Sequence, residues 1–91
     1  MNQNISVKKK SGVIAREADQ KIIILDPKEG SVYTLNDTAA YIWKFLHKKR
    51  SVSEILKKIA DDFEVPESKI RKDVINFIQK GIKNKLLQKS N

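Results

Sequence analysis

After Leu35 the hydrophobic period of this chain changes from two residues to 3.6, and that single change divides it into an extended half and a helical half. Three short segments before it read as strands. Val13-Ile14-Ala15-Arg16-Glu17 alternates weakly. Lys21-Ile22-Ile23-Ile24-Leu25-Asp26 is rich in β-branched residues, and Ser31-Val32-Tyr33-Thr34-Leu35 places Val32 and Thr34 on one face and Tyr33 and Leu35 on the other. Ala18-Asp19-Gln20 and Pro27-Lys28-Glu29-Gly30 separate them. These are turn residues, because Asp bonds to nearby backbone and Pro and Gly fix or free φ. Three strands joined by short turns make a meander.

The second half carries three helical stripes. Asn36 or Asp37 can cap the first helix with a side-chain oxygen. Ala39, Ile42, Trp43 and Leu46 then fall at i, i+3, i+4 and i+7. Ser51 with Glu54 has the capping-box spacing, followed by an apolar face of Val52, Ile55, Leu56, Ile59, Ala60 and Phe63. Pro66 breaks that helix and suits the first position of a third, expected from Pro66 to about Lys83. The third helix spreads Ile70, Val74, Ile75, Phe77, Ile78 and Ile82 over an arc of roughly 160°. Such an arc is wider than one packing partner requires. Either several elements pack on it, or part of it lines a groove. Asn84 is expected as a left-handed C-cap, with Leu86-Leu87 packing back on the core.

The expected architecture is α+β, winged helix-turn-helix-like: a three-stranded antiparallel sheet followed by three helices. With 91 residues, one domain is expected over residues 13–88, with a flexible N-terminal arm (1–12) ending in Lys8-Lys9-Lys10 and a short C-terminal tail (89–91). A domain of this size buries roughly 60–65% of its unfolded surface and has little interior for a deep active site.

The chemistry available is restricted. There is no cysteine, so disulfides, thiolate metal sites and a cysteine nucleophile are excluded. The lone histidine, His47, stands beside Lys48-Lys49-Arg50 at a helix end, where a cation suits the helix dipole. Asp61 and Asp62 are adjacent on a helix and point about 100° apart, which suits solvation rather than a shared proton. The glycines have no phosphate-loop spacing. No enzyme, cofactor or metal is therefore expected. The longest apolar run, Ile22 to Leu25, is too short to span a bilayer, and no signal peptide is evident, so a cytoplasmic protein is expected.

The net charge of +8 fits a lysine-rich solvated surface equally with an acidic partner, whether nucleic acid, anionic membrane or acidic peptide. Ser31 to Leu35 lacks Pro and charge, two common devices that block a sheet edge. If it is an edge, an extended peptide can add to it; if it is interior or covered, it cannot. A winged-helix nucleic-acid binder is the alternative. The segment from Pro66 onward is basic, but Glu67, Ser68 and Lys72 on the exposed start of the third helix make a poor base reader, and no basic hairpin follows.

The run from Val32 to Trp43, VYTLNDTAAYIW, resembles the PqqD-like family, in which a strand ends in Leu-Asn before a polar pair, Ala and an Ile-Trp step. Ser51-Val52-Ser53-Glu54-Ile55 is similar to its second-helix start. Asp61 to Pro66 is similar to its acidic-aromatic connection, and Asp73-Val74 with Phe77-Ile78 and Leu86-Leu87 to its third-helix signature. The turn departs from the pattern, with Gly81 or Ile82 where the family commonly has a Leu, and Asn84 near the position of its common Gly. The resemblance implies a RiPP recognition element that binds the leader of a ribosomally made precursor peptide and presents it to a separate leader peptidase or modifying enzyme. The implied docking strand is Ser31, Val32, Tyr33, Thr34 and Leu35. The implied groove wall is Ile70, Arg71, Asp73, Val74, Phe77 and Ile78, with Lys69, Arg71 and Lys80 attracting acidic leader residues. A lasso-peptide pathway is favoured over a radical-SAM pathway, and a monomer or weak dimer with no membrane partner is expected.

Overall fold

In the computed structural model, which describes residues 1–19 and 21–90, the chain forms two three-stranded antiparallel sheets and three helices. The strands are β1 (Ser6–Lys9), β2 (Ile14–Ala18), β3 (Lys21–Asp26), β4 (Ser31–Leu35), β5 (Arg50–Ser51) and β6 (Leu87–Ser90). The helices are α1 (Asp37–Phe45), α2 (Val52–Phe63) and α3 (Glu67–Lys83). The meander expected from the sequence is the sheet β2-β3-β4, and the three expected helices follow it.

The meander owes its register to alternation. Ile22 and Ile24 of β3 are buried while Lys21 and Leu25 are exposed, so a slip of one residue would turn every inward side chain to solvent. The β3–β4 turn is held from within. Asp26 is buried, its Oδ1 accepts from the backbone N–H of Lys28 at 3.0 Å, and Gly30, at φ 72°, closes the turn by donating to the Asp26 carbonyl at 2.7 Å.

The helix starts follow the expected chemistry. Asn36 is the cap of α1, its Oδ1 accepting from Ala39 N–H at 2.8 Å. Ser51 and Glu54 form the full capping box of α2. That bond from the Ser51 N–H holds the Glu54 carboxyl below its ordinary range against opposing desolvation, with the Ser51 hydroxyl, Arg50 and Lys48 adding to the lowering. The helix ends differ by one residue. Pro66 is the extended N-cap of α3, so the helix begins at Glu67, and Lys85 rather than Asn84 takes positive φ, at 63°. The Leu86 N–H then reaches back to the Gly81 carbonyl at 2.8 Å, which folds the chain onto the core. Gly81 lets the tail pack closely there, since a Cβ at that position would lie 2.7 Å from the Leu87 Cδ1 atom and that side chain would have to shift.

The flexible arm is a correction. Ser6–Lys9 is the central strand of a second sheet, pairing with β5 through Ser6↔Ser51 and with β6 through Val7↔Lys89 and Lys9↔Leu87. Val7 is fully buried, and the Lys9 ammonium sits 4.7 Å from the Trp43 ring, where burial pushes its pKa down. The tail is likewise structured, with Lys89 and Ser90 belonging to β6. Asn91 and the Gln20 of the first predicted turn lie outside the described residues. The core joins both sheets to all three helices through Ile24, Ile42, Leu56, Val74, Ile78 and Leu87.

Candidate peptide-binding groove

Strand order puts β4 at the edge of its sheet, paired with β3 on one side only. Its composition is distinctive among the sheet edges of the described residues. The other meander edge, β2, carries Arg16 and Glu17; β5 carries Arg50 and runs directly into α2; β6 carries Lys89. Only β4 has neither charge nor proline, so nothing in it resists an added strand.

Two hollows lie against α3, one of them bordered by β4. One, of about 340 Å³, lies between the start of α1 (Asn36, Thr38) and α3 (Asp73, Asn76, Phe77, Lys80). The other, of about 180 Å³, lies between Ser31 and Tyr33 of β4 and Lys83 and Asn84 at the end of α3. Asp73, Asn76, Phe77, Lys80 and Asn84 recur at helical spacing and form one face of α3. The two hollows lie along that face, one past the Leu35 end of β4 and the other beside its Ser31 end, and together they are the candidate groove. Ser31 and Tyr33 are half-buried toward it, Leu35 closes into the core, and Val32 and Thr34 point away into solvent.

The residues expected to line the groove divide into three groups. Asp73 and Phe77 line it. Val74 and Ile78 have no exposed surface and are core beneath it, and Ile70 packs half-buried against that core. Arg71 is exposed and lies in neither hollow, because two residues along a helix turn it about 200° from Asp73. The wide apolar arc of α3 is therefore mostly packing, with Phe77 at its groove-side margin. Sequence reasoning missed Asn36, Thr38, Asn76, Lys83 and Asn84 by following apolar residues. Stepping three and four residues from Asp73 finds those on α3.

His47 lies elsewhere. Its Nε2 is 3.0 Å from the Arg50 guanidinium, in a hollow with Tyr41, Phe45 and Lys58, where Arg50 stacks 4.1 Å from the Phe45 ring. Among the described residues no helix is long and apolar enough to cross a membrane.

Three solved structures share the fold. TbiB1, in complex with the TbiA(beta) leader peptide, is 21% identical with TM-score 0.80, over 89% of this chain and 94% of that one. A lasso peptide synthetase B1 complexed with the leader peptide is 21% identical with TM-score 0.78, over 90% and 96%. The PqqD truncation of Methylobacterium extorquens PqqCD, described as a functional and stand-alone RiPP recognition element, is 19% identical with TM-score 0.75, over 91% and 88%. At these identities the likeness is one of fold. No curated protein matches the chain. The model of the family described as coenzyme PQQ synthesis protein D (PqqD) matches residues 21–87, from the first residue of β3 to the first of β6, and the chain belongs to that family.

Proposed function

We propose that this protein captures the leader segment of a ribosomally synthesised precursor peptide and delivers it to a separate enzyme, without catalysis of its own. The leader adds as a strand to β4, within the groove walled by α3. Addition is antiparallel, the pairing used throughout this sheet and the more stable per residue. Main-chain bonds to β4 give affinity, and alternate side chains entering the hollows beside Phe77 and Tyr33 give specificity. The observation that carries the reading is the uncharged, unpaired edge of β4 facing α3, in a fold shared with two leader-peptide complexes.

The recipient enzyme is a lasso-pathway leader peptidase in preference to a radical-SAM maturase. The tyrosine on the docking strand and the lasso peptide synthetase B1 among the fold neighbours support that choice. The absence of catalysis is supported by the missing cysteine and by His47, whose ring is engaged by Arg50 away from the groove.

Titration with the precursor leader and with duplex DNA, each at two salt concentrations, tests the proposal. Saturable leader binding that changes little with salt is expected. DNA binding that falls steeply with salt, with no response to leader, would contradict it and favour the nucleic-acid alternative.

A further inference from the structure

The meander has a second face. Register sets Ile14 beside Leu25 and Leu25 beside Val32, and directly opposed residues of antiparallel strands project to the same side. That side faces away from the core, since Leu25 stands between buried Ile24 and Asp26. The three side chains are 41%, 37% and 62% exposed. Scattered exposed apolar residues are ordinary, whereas these three stand side by side across all three strands of the sheet. The next row is Arg16, Ile23 and Thr34, and beyond it Lys21 stands beside Ala18. The charged residues at strand positions of this face are thus Arg16 and Lys21, both cationic. At the turn beside Leu25, Lys28 is exposed while Glu29 is drawn to Lys85 at 3.8 Å.

We propose that this outer face is where the enzyme acting on the captured peptide docks, through an apolar surface flanked by carboxylates. The inference rests on strand addition at β4. A strand added there continues the row past Val32, because every second residue of the peptide projects to the same side as Val32. A partner seated on the row therefore touches the domain and its cargo together and binds the loaded form more tightly. The charge selects the partner. A second copy brings the same cationic face and the same net charge of +8, which opposes self-association, whereas carboxylates complement Arg16 and Lys28. A membrane is less suited, since a three-residue row on a rigid sheet lacks the broad apolar face of an interfacial helix.

The test uses the full chain, the precursor leader and the leader peptidase or maturase that acts on that precursor. Leu25→Asp alters the apolar row and Arg16→Glu the charge; neither residue lies in the groove, and circular dichroism confirms folding. Both variants are expected to bind leader within about twofold of the wild type, and to bind the enzyme about tenfold or more weakly. Leader should tighten enzyme binding to the wild-type protein. If neither variant weakens enzyme binding while leader still binds, the inference is overturned and strand capture stands. If the wild type does not bind leader, the underlying proposal fails instead. Two further results also overturn the inference: a wild-type dimer made monomeric by Leu25→Asp, or phosphatidylglycerol vesicles that retain the wild type but release both variants.

Discussion

Ser51 closes a reciprocal pair of bonds at the start of α2, accepting from the Glu54 N–H at 3.0 Å while the Glu54 carboxylate accepts from the Ser51 N–H at 3.0 Å. Ser51→Ala removes one of them and should cost about 1 kcal/mol, read as a melting temperature lower by roughly 4–8 °C. Leader affinity should not change, because the cap lies outside the groove. The pair also has a pH signature. The native Glu54 carboxyl is held below its ordinary value of 4.5. Its contribution to stability is therefore complete above that value and is lost as pH falls through the lower native one. Denaturation of the wild type and Glu54→Gln should show a stability gap at neutral pH that narrows in acid. This cap was legible from Ser51 and Glu54 alone, since a capping box is local. The one-residue shifts at Pro66 and Lys85 were not, because Pro fits both N-cap and first helical position, and the turn after α3 is set by Leu86 and Leu87 reaching the core.

At the scale of elements, β4 and α3 carry the functional proposal, and two pairs of variants separate binding from folding. Adjacent residues of a strand direct their N–H groups to opposite sides. Of Val32→Pro and Tyr33→Pro, one therefore removes a bond to β3 and destabilises the sheet. The other removes a donor from the open edge, where proline is tolerated, and should leave the fold intact while abolishing leader binding. Tyr33→Phe should bind. If the proline variant that keeps the fold also binds leader normally, β4 is not the docking edge. On α3, Phe77→Glu should weaken leader binding by about tenfold or more with the fold retained. Val74→Glu instead buries an unpaired carboxylate at a position with no exposure, a cost of several kcal/mol that a small domain does not survive. The sequence showed an edge free of charge and a helix with too much apolar arc. It did not show which part of that arc faces the groove, because helical periodicity fixes relative angles and only packing against β6 and α2 fixes the absolute one.

The whole molecule is bound together by its first strand. β1 lies between β5 and β6, so residues near position 7 join parts of the chain more than forty and eighty positions away. Nothing local announces this: Ser6-Val7-Lys8-Lys9 has one apolar inward residue, and its strand character comes from partners distant in sequence. Deleting residues 1–9 exposes both partner strands and empties the Val7 site. By urea denaturation it should destabilise the protein by more than the roughly 2 kcal/mol expected for Val7→Ala, whereas a frayed arm would cost nothing on removal. The meander, by contrast, uses neighbouring strands joined by short turns, which is why it was readable from alternation and turn residues.

The central claim is that a peptide becomes a strand on β4. Amide hydrogen exchange, followed residue by residue with and without the precursor leader, tests it most directly. Edge-directed amides of Ser31–Leu35 should become strongly protected on leader binding, with those of the opposite meander edge, Ile14–Ala18, unchanged. Protection confined to β2 or to the α1–α2 face, with β4 still exchanging as in the free protein, would contradict the account.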